Sequence, residues 1–114
     1  MVALDASALI AFMVGERGGD RVRPYLPEAC ISSLNLSEVY GRLLPHRGTV
    51  ADVQERIEKL RLEVVPFGAT EAYETAELLP KTHALGLSLA DRACLALAKS
   101  RGIPVLTADR AWKG

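Results

Sequence analysis

Apolar and polar positions fall in short alternating blocks along this chain, and the blocks predict its elements. Val2 to Leu4 is an apolar run that ends in Asp5 and reads as a buried first strand. Ala8 to Val14 is apolar on every side, which predicts a buried helix with Ser7 as its cap. Gly15, Gly18 and Gly19 open a loop, and a weak helix from about Asp20 is limited by Pro24 and Pro27. Ala29 to Ser32 reads as the second strand. The next helix starts at Ser33 or Asn35, with Leu36, Val39 and Leu43 on one stripe and Asn35, Glu38 and Arg42 on another. Pro45 to Gly48 predicts a break. Thr49 then caps a helix whose stripe is Val50, Val53, Ile57 and Leu60, with Asp52 in its first turn.

Leu62 to Phe67 reads as the third strand, turned by Gly68. Thr70 is placed to cap a helix with Ala72, Ala76 and Leu79 inward and Glu71, Glu74 and Glu77 outward, stopped by Pro80. Lys81 to Leu87 reads as a loop. Ser88 and Asp91 then have the spacing of a helix start, and Leu89 to Ala98 is apolar almost all round. Gly102 ends that helix, Pro104 blocks continuation, and Val105 and Leu106 form the last strand. Strand and helix in alternation, with short connections, predict an α/β domain around a parallel sheet. Right-handed crossovers would put helices on both faces, and ligands in such sheets bind outside the carboxyl ends of the strands.

Composition adds limits. The 114 residues make one domain, and an apolar fraction of 49% is ordinary for a globular protein. Leu9 to Val14 is too short to span a bilayer, the start lacks a basic leader pattern, and no repeat or low-complexity tract is present. Cys30 and Cys94 each sit in apolar runs without a CxxC or histidine neighbour, so buried free thiols in a reducing cytoplasm are expected. Net charge is zero. If four acids gathered in a metal site, 14 basic residues would face ten remaining acidic ones, and the rest of the surface would favour an anionic substrate weakly.

The candidate chemistry lies in four acids. Asp5 follows the first strand, Glu38 lies about one turn into the helix after the second, Asp91 opens the long helix and Asp109 follows the last strand. Taken singly, Asp91 and Glu38 are acids near a helix start, and Asp5 and Asp109 are turn formers. Together they fall at one predicted end of one sheet, whereas Glu55, Glu58, Glu71, Glu74 and Glu77 lie on predicted solvent faces. Carboxylates so gathered repel, and a hard divalent cation relieves the repulsion. An all-oxygen set without a histidine or cysteine cluster favours Mg²⁺ or Mn²⁺ over Zn²⁺.

Three separated blocks, VALDASALIAF, SSLNLSEVYGRL and LSLADRACLALAKSRGIPVLTADRAW, resemble the PIN-domain nucleases over nearly the whole chain, and among them the VapC-type ribonuclease toxins of toxin–antitoxin pairs. The resemblance implies a three-layer α/β/α fold over residues 1–114, with a further strand usual in the family after the T-x-D block. It also implies that Asp5, Glu38, Asp91 and Asp109 form the acidic site, with Asp5, Asp91 and Asp109 as direct metal ligands. Ser7 and Thr107 match small hydroxyl positions that would orient carboxylates. Asn35 matches a polar position near the second acid, though a helix cap explains it equally well. Arg92 and Arg110 flank site acids and could contact phosphate or lie on the surface. The implied activity is hydrolysis of RNA, and the implied partners are a cognate antitoxin and a second copy of the chain.

Two other readings stay open from the residues. One is a PIN nuclease of RNA processing without an antitoxin. The other is a receiver-like acidic domain, which wants an acidic pair after the first strand and an Asp after a middle strand; here Asp5 stands alone and the third strand ends in Pro66-Phe67-Gly68. No G-x-G-x-x-G follows the first strand, which argues against a dinucleotide site. With an aromatic fraction of 5%, no stacking platform for a base is evident.

Overall fold

A computed structural model describes residues 1–108, the side chains of residues 46 and 47 excepted. Four parallel strands, β1 (Val2–Leu4), β2 (Ala29–Ser32), β3 (Glu63–Val65) and β4 (Val105–Leu106), lie in the order β3-β2-β1-β4. Val2 pairs with Ala29, Ala3 with Cys30 and with Val105, and Ser32 with Val65. The chain between them forms α1 (Ala6–Val14), α2 (Gly19–Val22), α3 (Ser33–Arg47), α4 (Val50–Glu58), α5 (Ala69–Glu77), α6 (Leu79–Thr82) and α7 (Leu89–Arg101), with 3₁₀ turns at Arg23–Glu28 and His83–Leu85.

The two faces of the sheet are built from different residues. Val2, Leu4, Ala29 and Ile31 point to one face and pack with Leu9, Met13, Val39, Leu43, Val53 and Ile57 from α1, α3 and α4. Ala3 and Cys30 point to the other and meet Cys94 and Ala98 of α7. The period-two alternation of a strand produces this split. Large aliphatic side chains fill the first face, each worth about 1.5–3 kcal/mol on full burial. Small ones on the second let α7 approach the strands. Cys30 and Cys94 are free and buried, and burial pushes both thiols up from their ordinary value.

Several local expectations are corrected. Ser7 does not cap the first helix: Asp5 does, its carboxylate accepting the Ala8 N–H at 2.9 Å, and Ser7 lies in the first turn. α3 starts at Ser33, the first of the two expected starts, with Ser32 and not Asn35 as its cap, and it runs through Pro45 to Arg47. Pro45 offers no N–H to the Gly41 carbonyl, so the ladder loses one bond there, and the helix stops two residues later. Val50 is exposed and Leu60 lies beyond the end of α4. Gly68 rather than Thr70 precedes α5, with Glu71 closing back on the Gly68 N–H at 2.9 Å. Thr75 of α5 and Leu78 just beyond its end are buried, while Ala72, Ala76 and Leu79 are exposed; Glu71 and Glu74 are half-buried rather than fully solvated. Pro80 sits in the first turn of α6, so Lys81 to Leu87 is not simply a loop.

Gly19 marks the tightest helix contact. A Cβ added there would lie 2.5 Å from the Ala11 carbonyl oxygen and 2.9 Å from its carbon. Backbone cannot move aside as a flexible side chain can. Gly19→Ala is therefore expected to cost about 1–3 kcal/mol, read as a lower urea midpoint at unchanged slope. An unaltered midpoint would show that α2 can slide off α1 without loss.

Candidate active site

The carboxyl ends of the strands bring helix starts together. Asp5 continues β1 and its N–H donates to the Leu106 carbonyl at 3.3 Å, so the acid is fixed where β1 and β4 part. Its side chain is 4% exposed. Oδ1 accepts from the Ser7 hydroxyl at 2.8 Å and from the Ala8 N–H, while Oδ2 accepts from the Thr107 hydroxyl. Ser7 Oγ in turn accepts the Ala108 N–H at 3.0 Å. The two hydroxyl oxygens approach to 3.1 Å, yet each has one proton and each directs it at Asp5. Ser7 and Thr107 thus act as a clamp on a carboxylate that is otherwise out of water.

Asp91 sits in the first turn of α7. Its Oδ2 accepts the Ser88 N–H at 2.9 Å, and Ser88 Oγ accepts the Asp91 N–H at 3.1 Å, the reciprocal pattern that the sequence spacing predicts. Among the described residues no hydrogen bond reaches its Oδ1. Glu38 lies on α3 and keeps an exposed surface. Partial loss of water is the main influence that raises its carboxyl above 4.5, followed by the charges of Asp91 and Asp5, while Arg42 acts in the opposite direction. Burial likewise raises Asp5 above 3.8; hydrogen bonds from Thr107, Ala8 and Ser7 pull it back, and Asp91 adds to the rise. Asp5, Glu38 and Asp91 therefore lie within range of one another's fields. None of the three makes an ion pair among the described residues. Asp109 and Arg110 lie outside the described residues.

Asn35 has a different place from a cap. It is 1% exposed, and its Nδ2 donates to the Ala90 carbonyl at 2.9 Å, one residue before Asp91. This bond ties the helix of Glu38 to the helix of Asp91. Among the described residues its Oδ1 is buried without a partner. Arg92 is half-buried, and its Nε is likewise buried without a partner among the described residues. Two residues at this end of the sheet escaped sequence reasoning. Ser33 Oγ accepts the Phe67 N–H at 2.9 Å and so fastens the end of β3 to the start of α3. The available signal was position: Ser33 and Phe67 both follow strand ends.

Among the described residues, no group of three or more histidine, cysteine or acidic side chains is arranged to hold a metal ion by itself. The chemistry of the set does fit a hard divalent cation. It offers carboxylate oxygens only, its acids burden one another, and among the described residues no basic side chain pairs with them.

The family model described as PIN domain matches residues 2–114. No curated protein matches the chain by sequence. The fold is similar to a chain of a toxin–antitoxin complex from Klebsiella pneumoniae, with a TM-score of 0.78 and 18% identity over 100% of this chain and 92% of that one. It is similar to VapC20 of Mycobacterium tuberculosis, described as a sarcin-ricin loop cleaving toxin, with a TM-score of 0.76 and 18% identity over 96% and 91%. DNA-bound VapBC from Salmonella typhimurium gives 0.67 and 23% over 98% and 91%.

Proposed function

The chain belongs to the PIN-domain family, and on that premise we propose that residues 1–114 form a single cytoplasmic PIN domain that hydrolyses RNA as the toxin of a toxin–antitoxin pair. The observation that carries the reading is Asp5: a buried carboxylate, clamped by two hydroxyls and loaded by the charge of Asp91, with no basic partner among the described residues. Such an arrangement costs stability unless a cation is bound. Among the described residues no helix is long and apolar enough to cross a membrane. The toxin role and a cognate antitoxin draw support from the toxin–antitoxin neighbours, and a homodimer rests on the sequence resemblance alone; a PIN nuclease without an antitoxin shares the same chemistry.

Asp5, Asp91 and Asp109 would hold Mg²⁺ or Mn²⁺, with Glu38 beside them. The ion, when bound, supplies Lewis-acid polarisation of the phosphodiester and acidifies water. The chain's own groups do the rest. Ser7 and Thr107 keep the Asp5 carboxylate in one orientation. Glu38, whose carboxyl is raised by burial and by the charges of Asp91 and Asp5, accepts the proton of the attacking water as its oxygen bonds to phosphorus and the bond to the leaving oxygen breaks. Asn35 sets the distance between Glu38 and Asp91. Arg92 is the described candidate for phosphate contact, and Arg110 the other.

The test combines cleavage with melting. Wild type should cut a mixed RNA pool with Mg²⁺ or Mn²⁺, stop in EDTA, and lose activity in Asp91→Asn. Mn²⁺ at 100 times its dissociation constant should stabilise the wild type by about 2.7 kcal/mol and the variant by much less. Equal activity in both proteins, or a melting point indifferent to metal, would end the proposal.

A further inference from the structure

A cavity of about 170 Å³ opens between α5 and α7 over β2 and β3. It lies on the same face of the sheet as α7. Ser32 and Val65, paired across β2 and β3, form its floor. Continuing the β1–β2 register by two residues aligns Asp5 with Ser32. The cavity therefore starts about one strand spacing, roughly 4.8 Å, from the buried acid of the site. Its walls are Phe67 and Leu97, and Glu71 and Glu74 stand on the α5 side.

The lining selects a ligand. Phe67 is half-buried and offers a flat ring, with the Phe67 N–H held by Ser33. Glu71 is already committed to the Gly68 N–H, but Glu74 makes no hydrogen bond or ion pair among the described residues. The lining is mixed: Arg101 also borders it but is spent on Glu63, which leaves an aromatic wall and one uncommitted carboxylate, a pairing that suits a flat group carrying two adjacent N–H donors. Among nucleobases, only guanine presents such a pair along its Watson–Crick edge, from N1 and N2. Adenine and cytosine set one amino group beside an unprotonated ring nitrogen. Uracil sets one N–H between two carbonyls that a carboxylate repels. Single-stranded RNA bases are commonly read in this way, stacked on an aromatic ring and bonded on that edge.

Resting on the nuclease reading above, we infer that this cavity receives a guanine of the RNA substrate close to the cut, with Glu74 bonding its N1–H and N2–H and Phe67 covering its face. The cavity then sets base preference beside an acidic centre that has none.

Sequencing the products of a random hexanucleotide pool tests this directly. Wild type should enrich guanine over adenine about tenfold at a fixed position near the cut. The enrichment should fall toward parity in Glu74→Gln, whose melting point should match wild type because Glu74 makes no ion pair or hydrogen bond among the described residues. Phe67→Leu should weaken the enrichment by less. Calorimetry on Asp91→Asn, with trinucleotides differing only in one guanine or adenine, reads the cavity without turnover. Tighter binding of the guanine form, lost on adding Glu74→Gln, supports the cavity even if no RNA is cut, in which case the nuclease reading alone falls. Cleavage with no base preference, or a preference unchanged in Glu74→Gln, overturns the inference. So do equal trinucleotide affinities, and a Glu74-dependent grip on an arginine-bearing peptide in their place would assign the cavity to a protein side chain.

Discussion

Asp5→Asn should lower metal-dependent RNA cleavage about a hundredfold or more and at the same time raise the melting point of the metal-free protein. The two effects share one cause. Burial is the main influence on the Asp5 carboxyl and lifts it above 3.8, against the pull of Thr107, Ala8 and Ser7 and with a further push from Asp91. The folded chain therefore holds this proton more tightly than the unfolded chain does. The stability that follows is complete below the unfolded value and is lost as pH rises through the folded one. Above that folded value the wild type has lost it, while asparagine carries no charge to bury. Asparagine also keeps an oxygen for the Ala8 N–H, so the start of α1 stays capped. Melting in EDTA should show the variant ahead at pH 7 and the gap closing as pH falls toward 4. A variant less stable at pH 7, with a gap indifferent to pH, would mean that the carboxylate is not strained by its burial.

Leu9→Ala should be the most damaging of the simple truncations. Leu9 is 0% exposed and packs in the large-residue core beneath β1. Removing its branch leaves a space that the surrounding strands and helices fill only in part, at a cost of about 3 kcal/mol, on the order of 10 °C in melting temperature for a domain of this size. Urea unfolding at unchanged slope measures it. Because Leu9 lies on the helix that Asp5 caps, cleavage should also fall at temperatures well below the melt. A loss under about 1 kcal/mol would show that α1 is not anchored by this side chain.

The strands, the parallel sheet and the reciprocal caps at Thr49 and Ser88 were legible because each has a local signature: a short apolar run, a turn residue, a fixed spacing of hydroxyl and acid. Asp5 was legible as an acid past a strand, but its capping role was assigned to Ser7, since composition cannot say which of two neighbouring polar residues turns back. Asn35 read equally well as a cap or a site residue; only its bond to Ala90, 55 residues away, separates the two. The face of α5 was misread for a related reason. Alanine at Ala72 and Ala76 signals burial weakly, and the inward position went to Thr75, a polar residue whose burial hydropathy does not announce. That rotation is what turns Glu74 toward the cavity. Phe67 was read only as the last residue of the third strand, because nothing local marks a ring that lines a cavity beside a helix distant in sequence.

The bond from Thr107 to Asp5 spans 102 residues, and β4 pairs with β1 across nearly the same interval. Such a pairing closes late, after the nearer contacts have reduced the entropy of the loop. A chain still emerging from the ribosome therefore has an Asp5 without its clamp and a sheet without its last strand. The clamped carboxylate therefore exists only when the first strand and the last have both been made and have met, and any fragment that stops before β4 should leave Asp5 without its second hydroxyl.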